Sequence, residues 1–362
     1  MISLCMIVRN EEQYLSGCLS KIIDKVDEIV VVDTGSTDNT KNIAEKYTDK
    51  IFDFKWCYDF AKARNFSISM AGNDWVLILD ADEEVNTFNN QTVSKFIAIN
   101  DKVVGRINII NTFEDANGMK NFFQKANRFF NRNYFIYEGI IHEQVVAITG
   151  EDYETVDIEI SASHVGYEKG VLNRTNKINR NKELLNRAIA VKSNDPYLYY
   201  QLGKTYFIEK DYTQAELIFT TALRLGIHTK YVYVQDLIES YGYALVNSEK
   251  YKEALELKKY EDTYKDKPDF NFIMGIIYMN NSMFQEAVTK FLACQNNKEC
   301  KIAGVNSYLA NYNIGVIYEC LDICKESVKY YKKCGNYEPA LERLRRTQAK
   351  VEALNISGVV RD

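Results

Sequence analysis

Proline is nearly missing from this chain: there are three in 362 residues, Pro196, Pro268 and Pro339, and none in the first 195. Each precedes a helical pattern, as a helix-starting proline does, so proline marks helices in the second half and interrupts nothing in the first. Also missing is any apolar run near the ~18 residues that a membrane-spanning helix needs. Basic charge is not in excess. The net charge is −5 and the isoelectric point near 5.5, which removes the positive field that holds nucleic acid and excludes nucleic acid as an expected partner. The apolar start, Met1 to Val8, has neither a basic flank nor a small-residue cleavage site and reads as a strand rather than a signal. Eight cysteines show no CxxC spacing, and five lie in predicted helices near the C-terminus. That fits reduced, buried thiols better than disulfides or a zinc site, and a cytoplasmic location is expected. At 46% hydrophobic residues the chain is too apolar for disorder and long enough for two domains with real cores.

What the first half does contain is alternation. The pattern predicts a strand at Ile2–Val8, a helix about Glu12–Val26, a strand at Glu28–Asp33 and a helix about Thr37–Tyr47. A strand at Lys50–Phe54, a helix about Tyr58–Ala71 and a strand at Trp75–Asp80 are predicted next. Such alternation predicts a largely parallel α/β sheet with crossover helices, in which ligands gather at the carboxyl ends of strands. Asp33 and Asp80 both fall at such ends.

Val76 to Leu79 reads as a strand buried on both faces that delivers Asp80, Asp82, Glu83 and Glu84. Asp80 and Asp82 share a face of extended chain, and such crowded carboxylates suit a hard cation or a retained proton. A solvated acidic turn is the plainer explanation of the tetrapeptide, and Glu83 and Glu84 are expected to be solvated neighbours. After the earlier strand, Gly35 allows a tight turn and Ser36, Thr37 or Asp38 can cap a helix whose inward face is Thr40, Ile43, Ala44 and Tyr47. Asp33 precedes that turn, is not needed as a cap, and can accept from a ligand N–H or hydroxyl. In Asp59 to Asn65, Arg64 offers a fork that suits phosphate, while Lys62 reads as a solvated helix charge.

Together, the strings Ile7-Val-Arg-Asn10-Glu-Glu, Val31-Val-Asp33-Thr-Gly-Ser-Thr-Asp38, Ala63-Arg64-Asn65 and Leu79-Asp80-Ala-Asp82-Glu resemble, in order and spacing, the family 2 glycosyltransferases of the GT-A fold. The resemblance implies that the backbone around Val8 and Asn10 and the carboxylate of Asp33 hold the uracil and ribose of a UDP-sugar. It implies that Arg64 reaches the nucleotide or its diphosphate and that Asp80-Ala-Asp82 is the DxD motif. Asp82 would then bind a divalent cation, Mn2+ or Mg2+, and Asp80 would aim at ribose or sugar. The chemistry agrees, because a leaving nucleoside diphosphate develops negative charge that a cation and an arginine stabilise.

Two further strands are predicted at Arg106–Asn111 and Asn127–Phe130, and Arg128 and Arg132 either contact the diphosphate or form strand-edge salt bridges. The chain has three histidines, and two of them stand in Tyr137-Glu-Gly-Ile-Ile-His142-Glu143-Gln and Ser163-His164-Val-Gly166-Tyr167. A lone histidine is more often structural than functional. The pair of elements, however, resembles a subgroup of the family with a His-Glu and a His-x-Gly-Tyr element ahead of helical repeats, the layout of bacteriocin peptide S-glycosyltransferases of the sublancin type. An inverting transfer requires a base on the acceptor side. The resemblance makes Glu143 the candidate, with Glu138 the alternative. His164 would complete the metal shell or touch the diphosphate and His142 would orient Glu143 or the acceptor, or these two roles are exchanged.

After Tyr167 the character changes. A polar helix from Asn173 to Val191 links to repeats: Tyr199, Leu202, Gly203 and Tyr206 with Ala215, Phe219 and Ala222 occupy the aromatic and small positions of a tetratricopeptide repeat, whose period is about 34 residues. Gly275, Tyr278, Ala287, Phe291 and Cys294 repeat the scheme, as do Gly315, Tyr318, Ser327, Tyr331 and Cys334, with a weaker copy at Tyr241, Gly242, Leu245 and Ala254. Cys320 and Cys324 sit four apart but lack further ligands at useful spacing, so core packing is expected of them, and His228 carries no signal. The expected organisation is a GT-A domain over 1–170, a linker helix over 171–194 and all-α tetratricopeptide-like repeats over 195–362. The expected activity is transfer of a hexose from a UDP-sugar to a peptide or protein, including cysteine S-glycosylation. The repeats would hold that acceptor or form a homodimer that shapes its groove. A cell-surface glycan or lipid-linked sugar is the alternative acceptor, and a non-catalytic scaffold the alternative class.

Overall fold

Runs of Ile, Val and Leu buried along their whole length can only sit in the middle of a covered sheet, and that is where this chain puts them. The computed structural model describes residues 1–99, 101–115, 118–164, 171–295 and 300–356. Its contacts group Met1–Glu114 with Met119–Ser193, and Asn194–Asp362 with Asp115–Gly118. In the first unit the strands are β1 (Ile2–Val8), β2 (Glu28–Asp33), β3 (Ile51–Asp53), β4 (Trp75–Ile78), β5 (Glu83–Phe88), β6 (Val103–Asp115), β7 (Gly118–Asn131), β8 (Phe135–Glu138), β9 (Gln144–Ala147) and β10 (Glu154–His164). The helices are α1 (Leu15–Ile22), α2 (Thr40–Ala44), α3 (Phe60–Ser69), α4 (Asn90–Ile99) and α5 (Val171–Val191).

Eight strands form one sheet in the order β3-β2-β1-β4-β7-β6-β10-β5, and β8 and β9 form a separate hairpin. The first four strands in that order are parallel, β7 runs against β4, and β10 is parallel to β6 but antiparallel to β5. This is the mostly parallel sheet of the GT-A class. Alternation along β2 serves both faces: Val31 packs with Leu15, Leu19 and Ile22 of α1, whereas Val30 and Val32 pack with Ala61 and Ile68 of α3.

Two helices start later than their periodicity predicts, for one reason. The Glu11 amide donates to Thr40 Oγ1 and the Glu12 amide to Asp38, while the amides of Thr37 and Asn39 donate to Asn10 and Glu12. These cross-bonds between the loops after β1 and β2 take the amides of 11, 12, 37 and 39 into a clasp, so α1 starts at Leu15 and α2 at Thr40. β6 and β7 exceed the expected Arg106–Asn111 and Asn127–Phe130 because much of their length is polar and lacks an apolar signature.

The second unit comprises α6 (Pro196–Ile208), α7 (Tyr212–Arg224), α8 (Val232–Asn247), α9 (Tyr251–Ala254), α10 (Glu261–Tyr264), α11 (Pro268–Asn280), α12 (Phe284–Cys294), α13 (Tyr308–Cys320), α14 (Cys324–Lys332) and α15 (Glu338–Ile356). Pro196 and Pro268 open α6 and α11, as expected. The repeat glycines explain the pairing of helices. A methyl added at Gly203, Gly275 or Gly315 would lie 2.4, 2.6 or 2.5 Å from the ring of Phe219, Phe291 or Tyr331, so glycine is what lets those rings bury. The weaker copy is weaker structurally too: Gly242 meets Leu257 and Ile273 instead of an aromatic ring, and its second helix is broken by the 3-10 stretch Leu255–Tyr260. Gly275→Ala is expected to lower stability by about 1–3 kcal/mol through overpacking. The check is the urea unfolding midpoint, and an unchanged midpoint would mean that Phe291 can move aside. Cys324 and Cys334 are buried as packing residues, Cys320 is exposed, and Cys300 lies in the loop before α13 rather than in a helix. Among the described residues no helix is long and apolar enough to cross a membrane.

Candidate functional site

The carboxyl ends of β1, β2 and β4 lie side by side because these strands are parallel and in register, Val8 opposite Asp33. Asp33 is almost fully buried there. Its Oδ1 accepts the amides of Gly35 (2.6 Å) and Ser36 (2.7 Å), so, contrary to expectation, it does shape the turn. Its Oδ2 is buried without a hydrogen-bond partner among the described residues, which leaves one oxygen for a ligand. Gly35 makes this possible with φ of +105°. Val8 and Asn10 are at the same edge, but their polar groups serve the clasp: Thr34 donates its amide and hydroxyl to the Val8 carbonyl, and Asn10 bonds Ser36 and Thr37.

The acidic turn after β4 is organised by two arginines. Arg64, on the sheet-facing side of α3 and only 7% exposed, donates Nη2 to Asp80 Oδ1 (2.7 Å) and Nε to Glu143 Oε1 (2.5 Å). Arg128 of β7 reaches Asp80 Oδ2 (3.0 Å) and Glu83 Oε1 (3.4 Å). Antiparallel pairing of β7 with β4 decides which arginine arrives. Trp75 pairs with Asn131 and Leu77 with Phe129, so Arg128 stands at the acidic end of β4. Arg132 stands at the opposite end, its amide on the Asp74 carbonyl and its guanidinium on the Ile68 carbonyl. Arg132, offered with Arg128 for either a diphosphate contact or a strand-edge salt bridge, thus stands about 13 Å along the strand from Arg128, four residues away.

Glu83 corrects a second expectation. It is buried rather than solvated, and its Oε2 accepts the Asp80 amide at 2.9 Å while its own amide donates to the Asp80 carbonyl. Glu84 is bridged to Lys21. Burial would raise the Asp80 carboxyl, but Arg64 and then Arg128 outweigh it and hold Asp80 well below the usual carboxylate range. Burial raises Glu83 and Arg128 only partly offsets it, so Glu83 keeps its proton to higher pH than an ordinary glutamate. Tyr137, whose ring lies 5.7 Å from the Arg64 guanidinium, is pushed up to about 12 by burial.

Asp82 projects from the same turn toward β10, where His164 Nε2 lies 3.0 Å from its Oδ2 and His164 Nδ1 lies 3.0 Å from Asn111 Oδ1. A proton on Nδ1, donated to Asn111, leaves the Nε2 lone pair facing a carboxylate oxygen, and that donor set suits a cation. Among the described residues no group of three His, Cys, Asp or Glu gathers. His142 belongs elsewhere, in the turn between β8 and β9, with φ of +49°. Of the two histidines, His164 is the one beside Asp82. Glu138 is exposed on the hairpin, whereas Glu143 is held at Arg64. Gly166 and Tyr167 lie outside the described residues.

Residues 3–149 match the family model described as Glycosyl transferase family 2. Over 214 residues the chain is 25% identical to the SPbeta prophage-derived glycosyltransferase SunS of Bacillus subtilis (strain 168), a match covering 58% of this chain and 50% of that protein. Over 84 residues it is 50% identical to TPR repeat-containing protein Synpcc7942_0270 of Synechococcus elongatus (strain ATCC 33912 / PCC 7942 / FACHB-805), covering 23% of this chain and 21% of that protein. The chain thus spans about a fifth and a half of the lengths of these relatives. The crystal structure of YrrB, a TPR protein with an unusual peptide-binding site, is similar over 48% of this chain and 87% of its own, at 24% identity and a TM-score of 0.40.

Proposed function

We propose that the N-terminal unit, whose residues 3–149 are a family 2 glycosyltransferase domain, transfers a hexose from a UDP-sugar to a peptide or protein with inversion at the anomeric carbon. The observation that carries this reading is the Arg64 guanidinium bridging Asp80 and Glu143 beside the Asp82–His164 pair, all beyond the carboxyl ends of parallel strands. Asp33 Oδ2, buried and unpartnered, accepts from the uracil or ribose. Arg64 Nη1, also buried without a partner among the described residues, donates to the diphosphate, with Arg128 adding positive charge behind Asp80. Asp82 and His164 hold the divalent cation, Mn2+ or Mg2+, which when bound offsets charge on the leaving diphosphate. Glu143 takes the proton of the acceptor nucleophile, and the bond from Arg64 Nε fixes the orientation of its carboxylate. The repeats hold the acceptor, or pair two chains so that the groove is shaped between them, and a cysteine thiol is the acceptor atom favoured by the sequence resemblance.

The test is UDP release with Mn2+ across a panel of UDP-sugars, followed by intact-mass analysis of Cys-, Ser- and Asn-containing peptides. Asp82→Asn is expected to lower UDP release about 100-fold, the scale of losing one transition-state charge contact. The reading fails if no donor turns over, or if Asp82→Asn matches wild type. Sugar on a glycan acceptor and on no peptide would move the substrate to the cell-surface class.

A further inference from the structure

The geometry points to Asn65 as a positioning residue that sets the carboxylate of Glu143 against Arg64. Asn65 follows Arg64 on α3, and its side-chain amide makes both bonds that a neighbouring strand would make to Tyr137. Nδ2 donates to the Tyr137 carbonyl at 2.9 Å, and the Tyr137 amide donates to Oδ1 at 2.9 Å. Among the described residues β8 pairs with β9 alone and no other strand reaches the outward backbone groups of Tyr137, and one asparagine satisfies both.

A second contact lies five residues earlier on the same helix, where the Phe60 amide donates to the Ile140 carbonyl at 2.9 Å. α3 therefore grips the hairpin on both sides of Gly139, whose φ of +103° turns the chain. Three residues past Ile140, Glu143 meets Arg64 Nε. Tyr137, the residue that Asn65 holds, also lays its ring against the Arg64 guanidinium. Consecutive residues of one helix thus do two jobs: Arg64 bonds the carboxylate, and Asn65 sets the depth and register of the strand that carries it. Among the twenty side chains asparagine alone offers a donor and an acceptor at this reach. Aspartate lacks the donor and would face the Tyr137 carbonyl with a carboxylate, and glutamine is one methylene too long.

This inference rests on the proposed role of Glu143, and the experiment separates the two. Asn65→Leu, Asn65→Asp and Glu143→Gln are compared with the double variant Asn65→Leu/Glu143→Gln in the full chain. Asn65→Leu is expected to lower kcat for UDP release 30- to 100-fold, the scale of an ångström-sized misplacement, with KM for the UDP-sugar within about threefold. In the Glu143→Gln background the same change is expected to lower kcat less than threefold, because its effect runs through Glu143. Additive losses, or an equal rise in KM, overturn the proposal. Hydrogen exchange across 135–147 reads the clasp without turnover. Protection of the Tyr137 amide is expected to fall at least tenfold in Asn65→Leu and Asn65→Asp while protection in β1 and β2 is kept. Retained protection at Tyr137 overturns the proposal even if no sugar is transferred, and lost protection with no wild-type turnover sinks the glycosyltransferase reading alone.

Discussion

Arg64→Met is expected to lower UDP release by roughly 1,000-fold and to destabilise the first unit by about 3–5 kcal/mol. Both effects have one origin. Arg64 is buried, and its guanidinium is the shared counterion of Asp80 and Glu143, which meet at it from β4 and from the β8–β9 hairpin. Burial alone would favour loss of its proton, yet Asp80 and then Glu143 more than restore the charge, so the side chain stays cationic across the working range. Methionine keeps the volume and removes the charge, leaving two carboxylates without their shared cation. Arg128 still touches Asp80, so Asp80 retains part of its stabilisation, whereas the Arg64 contact to Glu143 is lost. Arg64→Lys is the informative intermediate, because one ammonium cannot reproduce a planar fork between two carboxylates. It is expected to recover stability more than activity. The measurements are steady-state UDP release and urea unfolding, and activity within tenfold of wild type in Arg64→Met would remove the guanidinium from the donor site.

Lys301→Met should cost the second unit about 3–5 kcal/mol, because it strips the cation from a buried cluster. Lys301 Nζ lies 2.7 Å from Glu239 and 3.5 Å from Asp236, while its amide and that of Ile302 donate to the two oxygens of Asp269. Lys204 and the Tyr200 hydroxyl complete the shell of Asp236. The cluster is uneven: burial would raise Asp236, but Lys204 and Lys301 hold it below the usual range, whereas Glu239, where burial outweighs Lys301, sits at about 7 against an ordinary 4.5. For a carboxyl raised on folding, the stability it contributes is full below pH 4.5 and is lost as pH rises through 7. From this group alone, unfolding free energy falls by about 3 kcal/mol between pH 4.5 and pH 8. Glu239→Gln is expected to remove that slope and to be the more stable protein at pH 8, and Lys301→Met to move the slope to higher pH. Urea unfolding at pH 5, 6, 7 and 8 checks both. An unchanged slope in Glu239→Gln would show that the carboxyl titrates normally.

Much of this was legible in the residues. The apolar strands, their parallel order and the acids at their ends follow from patterns that depend only on near neighbours in the chain. The glycine–aromatic pairs of the repeats are legible for the same reason, since Gly203 and Phe219, or Gly275 and Phe291, belong to adjacent helices of one repeat. Glu83 was not legible as a buried group, because an acid in a turn looks solvated until a partner such as Arg128 arrives from 45 residues away. Arg128 and Arg132 were equivalent in sequence, and only the antiparallel register of β7 separated them.

The sequence by itself determined the class of fold, the repeat architecture and the carboxylates Asp33, Asp80 and Asp82 at strand ends, because hydrophobic periodicity and turn chemistry are local. Only the tertiary structure decided which side chains face one another: Arg64 with Glu143, His164 with Asp82, Asn65 with Tyr137. Those pairs join residues 72 to 82 positions apart, and at such separations nothing local in the chain selects a partner until strand pairing and helix docking have fixed the distance.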